Sequence, residues 1–390
     1  MKILYIIHDN KKGGAAISFL DMIKGVSEKH EVYVLTPHKK GYIPDELDKL
    51  GIWHESVHYF WWEIVKSGNP FIDAIRFGIY KLLNLYNCIS AKHVAQWAKQ
   101  NDIDIIHSNS SVVYIGALAS EYTSIPHVWH LRELGNPDFS LSPVFRNGSL
   151  EQVINIGNSF YIAISDYVAT FYKKYIHGKT IYTVYNGISS LYNYKKSKKE
   201  YNTDTIYFLI SGNYCEEKGQ LDVAHTIGLL VSQGVKEFKV YMAGRGDYTE
   251  VKKYLADNKL TEYVVFCGLV EDIISLRKKC DVEIVASRAE AFGRVTVEAM
   301  RTSNPVIGSS VGGTAEIVLN GKTGFLYEYR NNEALADCMK KFIVEADLAY
   351  EMGQRAYEWS VDRFTSEENV RQVLKIYEDV VKHSLSGEKL

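Results

Sequence analysis

Residues Val282 to Met300 read VEIVASRAEAFGRVTVEAM and contain a predicted strand, a loop and the start of a helix. The stretch begins with a mostly apolar run, Val282 to Ala286, which has the length of a buried strand. A helical pattern follows from Arg294, and Gly293 stands just before it. The stretch therefore predicts one strand-to-helix unit of a parallel sheet, with the intervening loop at the carboxyl end of the strand, where such sheets bind ligands.

Similar units recur along the whole chain, because apolar runs of strand length alternate with longer helical patterns. A chain of 390 residues also exceeds the size at which one core usually stops growing. The sequence predicts an α/β protein with two Rossmann-like parallel-sheet domains facing a cleft. The predicted strands are 2–8, 31–36, 104–108, 127–131, 161–165 and 181–185 in the first domain, then 205–211, 239–243, 264–267, 282–286 and 305–309 in the second.

The domain boundaries follow from a polar stretch around Lys195 to Glu200 that has no apolar period. We expect a first domain over 1–190, a linker over 191–204, a second domain over 205–365 and a helix over 366–390. This last segment carries apolar residues at helical spacing and is expected to pack back toward the first domain. The apolar residues are Val370, Val373, Leu374, Ile376, Tyr377 and Val380.

Composition excludes several classes of protein. The 45 basic and 47 acidic side chains give a net charge of −2, whereas nucleic-acid binding needs a concentrated basic footprint. We therefore expect no nucleic-acid partner. The 5 cysteines form no CxxC pair, which argues against disulfides and a zinc site. The apolar run Ile3 to Ile7 is too short for a signal peptide, so we expect a cytoplasmic protein, free or peripheral at the inner face of the membrane.

Two carboxylates flank the predicted ligand loop. Glu290 precedes the first turn of the helix, and Glu298 lies on its second turn. Such a pair suits the hydroxyls of a sugar and a ribose, while the backbone amides after Gly293 suit a diphosphate. The alternative for an isolated pair is two solvent-facing glutamates near a helix start.

The stretch from Glu290 to Met300 resembles the retaining family 4 glycosyltransferases with the GT-B fold, whose second domain carries E-x-F-G-x-x-x-x-E-A-M. The resemblance continues in 305–308, 312–318 and 321–326. It implies sugar transfer from a UDP- or GDP-type nucleotide sugar to an acceptor hydroxyl with retention, commonly in surface polysaccharide or glycoconjugate synthesis. It also implies donor contacts at Glu290, Phe292, Gly293 and Glu298, with Glu290 at the catalytic centre, and no cofactor.

The family also carries G-R-x-x-x-x-K-G after the first strand of its second domain. Here Lys218 and Gly219 match, but Asn213 replaces the arginine and offers only a neutral hydrogen bond. The resemblance makes Lys218 a catalytic and donor-binding residue and keeps Asn213 among the donor contacts. Either Arg294 or Arg245 replaces the missing charge; alternatively, Arg245 is a surface residue paired with Asp247.

In the first domain, the resemblance places Gly13 and Gly14 in a loop on the donor phosphate side. It places His130 against the donor sugar, near the reacting carbon. Each feature has a simpler explanation, because a Gly-Gly pair suits any strand-to-helix turn and a histidine at a strand end often only packs. No Asp-x-Asp motif appears in the segments predicted to face the cleft, which agrees with a metal-independent reaction.

The acceptor side is indicated only by a long aromatic and apolar segment, Tyr59 to Trp62 followed by 71–98. It is either a core helix over the first sheet or a surface at the membrane interface that reaches a lipid-linked saccharide. A free saccharide is the other acceptor class.

Two rival functions remain open at this stage. One is a nucleotide-sugar epimerase of GT-B architecture, because a fold does not determine a reaction. The other is a catalytically silent sugar-nucleotide binding protein, for which the change at Asn213 is the argument.

Overall fold

The computed structural model describes residues 1–135, 141–144, 149–201, 204–345 and 347–386. The chain divides into two compact units. The first unit contains Met1–Gly187 together with the segment that begins at Ser366, and the second contains Ile188–Thr365.

The first unit is built on a seven-stranded parallel sheet with the strand order β3-β2-β1-β5-β6-β8-β9. A short antiparallel pair, β4 with β7, lies outside that sheet. The strands are β1 Lys2–Ile6, β2 Glu31–Thr36, β3 Trp53–Ser56, β4 Glu63–Val65, β5 Ile105–Ser108, β6 His127–Leu131, β7 Leu141–Pro143, β8 Ser159–Ala163 and β9 Ile181–Thr183. The helices are α1 Gly14–Ser27, α2 Tyr42–Leu50, α3 Pro70–Gln100, α4 Ile115–Thr123, α5 Ser149–Ile154 and α6 Asp166–Tyr172.

The second unit contains a six-stranded parallel sheet with the order β12-β11-β10-β13-β14-β15. Its strands are β10 Ile206–Ser211, β11 Phe238–Ala243, β12 Val264–Gly268, β13 Val282–Val285, β14 Val306–Ser309 and β15 Gly324–Tyr327. Its helices are α7 Gln220–Ser232, α8 Thr249–Asp257, α9 Ile273–Lys279, α10 Arg294–Arg301, α11 Gly313–Ile317, α12 Asn332–Val344 and α13 Leu348–Val361. Short 3-10 turns occupy Ser190–Tyr192, Lys198–Glu200, Glu216–Lys218 and Thr261–Tyr263.

The last helix, α14 Ser366–Ser386, returns to the first unit. It packs along α1. Val370 lies so close to Gly25 of α1 that a Cβ built on this glycine would lie 2.8 Å from Val370 Cγ2. Val373 and Tyr377 are fully buried in the same core as α1 and the sheet. The expected C-terminal helix is therefore present, and it completes the core of the first unit.

All eleven predicted strands are present, so the two-sheet α/β prediction is confirmed. The sequence missed four strands for local reasons. β4 and β7 have only three residues each. β3 reads WHES and has partly exposed polar residues, and β15 begins with a glycine.

The segment 191–204, predicted as a linker, has contacts that group it with the second unit. Lys196 is buried there, and its ammonium donates to the carbonyl of Cys280. The Lys196 nitrogen also lies 5.0 Å from the ring centroid of Tyr201. Burial lowers the pKa of Lys196 to about 8. Lys196 is therefore a buried residue of the second unit, whereas a solvated linker was expected at this position.

The aromatic cluster Tyr59 to Trp62 lies mostly inside the first unit. Tyr59 and Trp62 are buried, and the Tyr59 hydroxyl donates to the carbonyl of Ile7 over 2.5 Å. The indole nitrogen of Trp61 donates to the carbonyl of His8 over 2.8 Å. These aromatic side chains hold the chain against the end of β1, and Tyr59 and Trp62 are core residues of the first unit.

Candidate active site

The second unit has its topological switch point between β10 and β13, which are neighbours in the sheet although two other strands, β11 and β12, separate them in sequence. Loops that leave the two strands diverge to either side and open a crevice at the carboxyl ends. Lys218 follows β10, and the segment Ser287 to Glu290 follows β13. The structure therefore brings two sequence-predicted groups to the place where sheets of this kind bind ligands.

Lys218 and Glu290 form an ion pair at this switch point. The Lys218 Nζ lies 2.5 Å from Glu290 Oε1, and the same oxygen accepts a hydrogen bond from the Ser287 hydroxyl over 2.6 Å. A third bond, from the Ser309 hydroxyl to the Ser287 carbonyl over 2.6 Å, ties the loop to the end of β14. Lys218 and Glu290 both retain solvent exposure, so a cation and a hydrogen-bond acceptor are accessible side by side at the switch point.

Glycines allow the loops around this pair to approach closely. Gly219 has φ 73°, and a Cβ there would lie 2.5 Å from the carbonyl oxygen of Ala286. A Cβ on Gly313 would lie 2.1 Å from the carbonyl oxygen of Phe292, while its amide donates to the Glu290 carbonyl over 2.6 Å. The glycine motifs that carry the family resemblance thus hold the 290–292 loop against its neighbours.

Glu298 is buried on α10, and two arginines hold its carboxylate. Oε1 accepts from Arg294 Nε over 2.7 Å, and Oε2 accepts from Arg277 Nη1 over 2.9 Å. Each carboxylate oxygen has a second lone pair that can accept a ligand hydroxyl. The sequence predicted a Glu298 that simply faces the ligand, whereas the structure shows a carboxylate whose position is fixed by cations on two helices.

Arg277 is the main residue that the sequence interpretation missed. It is fully buried on α9, and its Nε lies 2.7 Å from Glu283 Oε2 on β13. Burial opposes its charge, but Glu283 and Glu298 hold the pKa of Arg277 above its ordinary value. The acidic Glu283 within a buried strand was the available signal, because such a group requires a buried partner.

Asn213 and Arg245 are neighbours in the structure. The Arg245 amide donates to Asn213 Oδ1 over 3.3 Å, and the Arg245 carbonyl accepts from the Tyr214 amide over 2.7 Å. Asp247 is engaged elsewhere, since its Oδ1 accepts from the Thr249 amide over 2.9 Å. The exposed Arg245 side chain therefore stands beside the position at which the family carries arginine, whereas Arg294 is committed to Glu298.

A small recess connects the groups at the switch point. It is lined by the strand ends of β10 and β13 and by the side chains of Ser211, Lys218, Ser287, Glu290 and Val295. Phe292 does not line it; its buried ring packs 6.0 Å from that of Phe364. Phe292 therefore anchors the loop, while Gly293, with φ 93°, is the N-cap residue that precedes α10.

Gly13 and Gly14 lie where β1 turns into α1, and both are exposed. Gly13 has an extended backbone with φ −166°, which any residue adopts. Nothing lies within 4 Å of a Cβ built at Gly13, so the protein itself does not require glycine there. The structure leaves open space over this turn.

His130 lies in the interior of the first unit, in a chain of polar side chains. Its Nδ1 lies 3.2 Å from His107 Nε2 and 3.3 Å from Arg132 Nη2. Because a guanidinium only donates, His130 Nδ1 accepts and the ring proton resides on Nε2. Nε2 is buried and has no hydrogen-bond partner in the described part of the chain. Burial lowers the pKa of His130 well below its ordinary value, so the ring is neutral.

Arg132 and Glu133, at the end of β6, form a second polar group in the first unit. Arg132 is buried and donates to Asn109 Oδ1 over 2.8 Å and to Asn186 Oδ1 over 2.7 Å. Glu133 Oε1 accepts three hydrogen bonds, from the Ser110 hydroxyl, the Ser111 amide and the Ser111 hydroxyl. These groups collect at the carboxyl ends of β5 and β6.

Glu63 on β4 is the third buried charge-bearing residue of this region. Burial, reinforced by the charge of Glu133, raises the pKa of Glu63 to about 8. Glu63 is therefore mostly protonated at neutral pH. Its isolated position in a short strand gave no sequence signal.

Within the described residues, no group of three or more His, Cys, Asp or Glu side chains is arranged to hold a metal ion. None of the helices in that part of the chain is both long and apolar enough to span a bilayer.

Two family models match almost the entire chain. The model described as Glycosyltransferase Family 4 matches residues 12–190, and the model described as Glycosyl transferases group 1 matches residues 193–359. With two Rossmann-like parallel sheets and a polar site at the switch point of the second, the protein is a glycosyltransferase of the GT-B class. Within that class, the chain belongs to glycosyltransferase family 4, as the sequence motifs indicated.

Known proteins of this class resemble the chain over most of its length. N-acetyl-alpha-D-glucosaminyl L-malate synthase of Bacillus anthracis is 28% identical over 77% of this chain and 81% of that protein. The capsular polysaccharide biosynthesis glycosyltransferase CapM of Staphylococcus aureus is 27% identical over 51% of this chain and 54% of the CapM chain. The crystal structure of Anabaena HepE with UDP superimposes with a TM-score of 0.77 at 23% identity, over 97% and 100% of the two chains. HepE has also been solved with UDP-glucose.

Proposed function

We propose that this glycosyltransferase moves a sugar from a nucleotide-diphosphate sugar to an acceptor hydroxyl with retention of anomeric configuration. The observation that carries the proposal is the Lys218–Glu290–Ser287 cluster at the switch point of the second unit, beside the anchored carboxylate of Glu298. A UDP-type donor is favoured over a GDP-type donor, because UDP occupies the structurally similar HepE.

In the proposed reaction, the diphosphate leaving group gains charge as its bond to the sugar breaks. Lys218 supplies the compensating cation, with Arg245 beside Asn213 as the second positive group. Glu290 accepts a sugar hydroxyl once the ligand competes for Lys218, and Glu298 accepts a ribose hydroxyl through its remaining lone pairs. We propose that these cations take the role that a metal has in other transferases, so that no cofactor is required.

For the first unit, we propose that His130 donates through Nε2–H to a hydroxyl of the donor sugar. An unpartnered buried donor supports this role, because leaving it unpaired costs about 1–3 kcal/mol. Gly13 and Gly14 are proposed to let a phosphate approach the backbone, which the open space at Gly13 supports. Arg132 fixes the histidine tautomer and is a positioning residue.

We propose a saccharide or lipid-linked saccharide as the acceptor, in surface polysaccharide or glycoconjugate synthesis. The name of CapM, a capsular polysaccharide enzyme, supports this assignment. We also propose that the protein acts in the cytoplasm, either free or peripheral at the inner face of the membrane, with no nucleic acid among its partners.

A donor panel tests the proposal. The protein is incubated with UDP- and GDP-sugars, with and without saccharide acceptors, and the product anomer is assigned by NMR coupling constants. We expect acceptor-dependent transfer from a UDP-sugar, with the donor configuration retained and activity unchanged by chelator. An inverted product refutes retention, and complete loss on chelation refutes metal independence. Donor conversion without acceptor identifies an epimerase, and donor binding measured by calorimetry without conversion identifies a binding protein.

Substitutions at the site test the residue roles. We expect Lys218→Ala and Glu298→Ala each to lower transfer by at least about tenfold, because each removes a preorganised polar group. Lys253→Ala, at an exposed lysine of α8, is the matched control and should leave the rate unchanged. Full activity in both site variants would contradict the assignment.

A further inference from the structure

Helix α3 has its polar side facing inward. Asn87 donates to the carbonyl of Phe60 over 2.8 Å and accepts from the Phe60 amide over 2.9 Å. Asn84 donates to the Trp61 carbonyl over 3.0 Å, and the Ser90 hydroxyl donates to the His58 carbonyl over 2.6 Å. These side chains satisfy backbone groups of the segment between β3 and β4, and they fix the rotation of α3 about its axis.

The opposite side of α3 is apolar and faces away from the protein over its first five turns. Its residues follow one another at helical spacing and are all exposed, with Phe71 at 75%, Leu82 at 70% and Leu85 at 68%. From residue 71 to 89 this stripe is about 27 Å long. We call it the outer face; it consists of Phe71, Ile72, Ile75, Ile79, Leu82, Leu85, Tyr86 and Ile89.

The outer face ends where the helix changes character. In the last turns of α3, the exposed residues are polar, namely Lys92, His93, Gln96, Lys99 and Gln100. The exposed apolar surface is therefore confined to the first part of α3 and is not a property of the whole helix. Contiguous apolar surface of this size marks an interaction site. Rotating the helix to bury it would break the hydrogen bonds of Asn84, Asn87 and Ser90.

The charges around the outer face are almost all positive. Lys66, Lys81 and Lys92 are exposed along its length, and Arg76 is partly exposed. The single acidic residue between Lys66 and Lys92 is Asp73, whose Oδ1 is held by the Ser67 amide and hydroxyl. An apolar stripe with lysines at its edges is the pattern of helices that lie in the interface of an anionic bilayer.

We propose that the outer face of α3 is a membrane-docking surface, and that it inserts its apolar stripe between the headgroups of a bilayer containing anionic phospholipids. This docking surface rests on the proposed function, because a lipid-linked acceptor would lie at the membrane. The charge complementarity of the lysines selects an anionic lipid surface over a second copy of the chain, whose outer face would carry the same positive charges.

Vesicle sedimentation with the full chain tests the proposal. Vesicles of phosphatidylcholine, with or without about a third of phosphatidylglycerol, are the probes. We expect binding to the anionic vesicles that weakens with salt, and at least about tenfold weaker binding of the Leu82→Gln/Leu85→Gln variant. The matched control is Leu269→Gln/Val344→Gln in the second unit, which replaces leucine and valine side chains that are 54% and 72% exposed and should bind like wild type.

Two further measurements separate the possible outcomes. Transfer to a water-soluble acceptor should be unchanged in Leu82→Gln/Leu85→Gln, so loss of docking is distinct from failure of the proposed function. Light scattering reports the oligomeric state. Equal vesicle binding by both variants, or no binding by wild type, overturns the proposal. A wild-type dimer that the leucine variant dissociates, without vesicle binding, identifies the outer face as a subunit interface and also overturns it.

Discussion

Arg132 carries its charge in the interior of the first unit, where it donates hydrogen bonds to the neutral side chains of Asn109, Asn186 and His130. Burial lowers its pKa to about 10, and Glu133 opposes that shift. Burying a cation costs free energy, which its ionic and hydrogen-bond partners offset only in part. Its contact with His130 selects the ring tautomer, so the charge of Arg132 determines which nitrogen of His130 can donate.

At the same scale, Arg245 is predicted to replace the arginine that the family carries at position 213. We expect Arg245→Ala to raise the KM for the donor by about fivefold or more, because one charge-assisted phosphate contact is lost. Adding Asn213→Arg to this variant should restore most of the affinity, since the two residues are neighbours. Steady-state kinetics provides the measurement. An unchanged KM in Arg245→Ala would leave Lys218 as the main cation.

Glu63 gives a prediction about pH. Its pKa is about 8 in the folded protein against 4.5 ordinarily, so between these values the folded state holds more protons than the unfolded state. Stability from this group is therefore lost as pH rises, by up to about 1.4 kcal/mol per pH unit. The glutamine in Glu63→Gln stays neutral, so the free energy of unfolding of this variant lacks the pH dependence that Glu63 contributes.

Urea unfolding between about pH 6 and pH 8 measures the effect of Glu63. The free energy of unfolding of wild type should fall relative to that of Glu63→Gln across this range. Other groups titrate equally in both proteins, so the difference isolates Glu63. Parallel curves would mean that this carboxyl ionises normally.

At the scale of elements, the periodicity of apolar residues predicted eleven strands, the last helix and the loop that carries Glu290. It did not predict Arg277, because the run Arg277-Lys278-Lys279 at the end of α9 looks like an ordinary solvated helix end. Only packing against β13 and α10 distinguishes the buried arginine from the lysines beside it. The orientation of α3 was equally hidden, since apolar spacing alone indicates a face and not whether that face points inward.

Arg277 joins α9, β13 and α10 through Glu283 and Glu298. We expect Arg277→Ala to destabilise the second unit by about 3–5 kcal/mol, because it leaves buried carboxylates without their cation. Denaturant unfolding is the measurement. The control Arg330→Ala removes an exposed ion pair with Glu216 and should change stability little. Equal effects of the two substitutions would show that the buried network is not structurally important.

At the scale of the whole molecule, the first unit is assembled from the two ends of the chain. Val373 lies in the buried core that α14 completes, whereas Lys375 on the same helix is exposed. We expect Val373→Asp to destabilise the first unit by at least about 3 kcal/mol and Lys375→Asp to have little effect. Limited proteolysis should then cleave within 1–187 while the second unit resists. Cleavage confined to 188–365 would contradict this dependence.

The return of α14 has a consequence for synthesis on the ribosome. The second unit is continuous in sequence, so it can finish folding while the chain is still being translated. The first unit emerges earlier but lacks the side chains of Val373, Tyr377 and Val380 until the segment after Thr365 has also been translated. During that interval, the α1 surface that α14 later covers is open to chaperones, and the unit that is made first is the one that matures last.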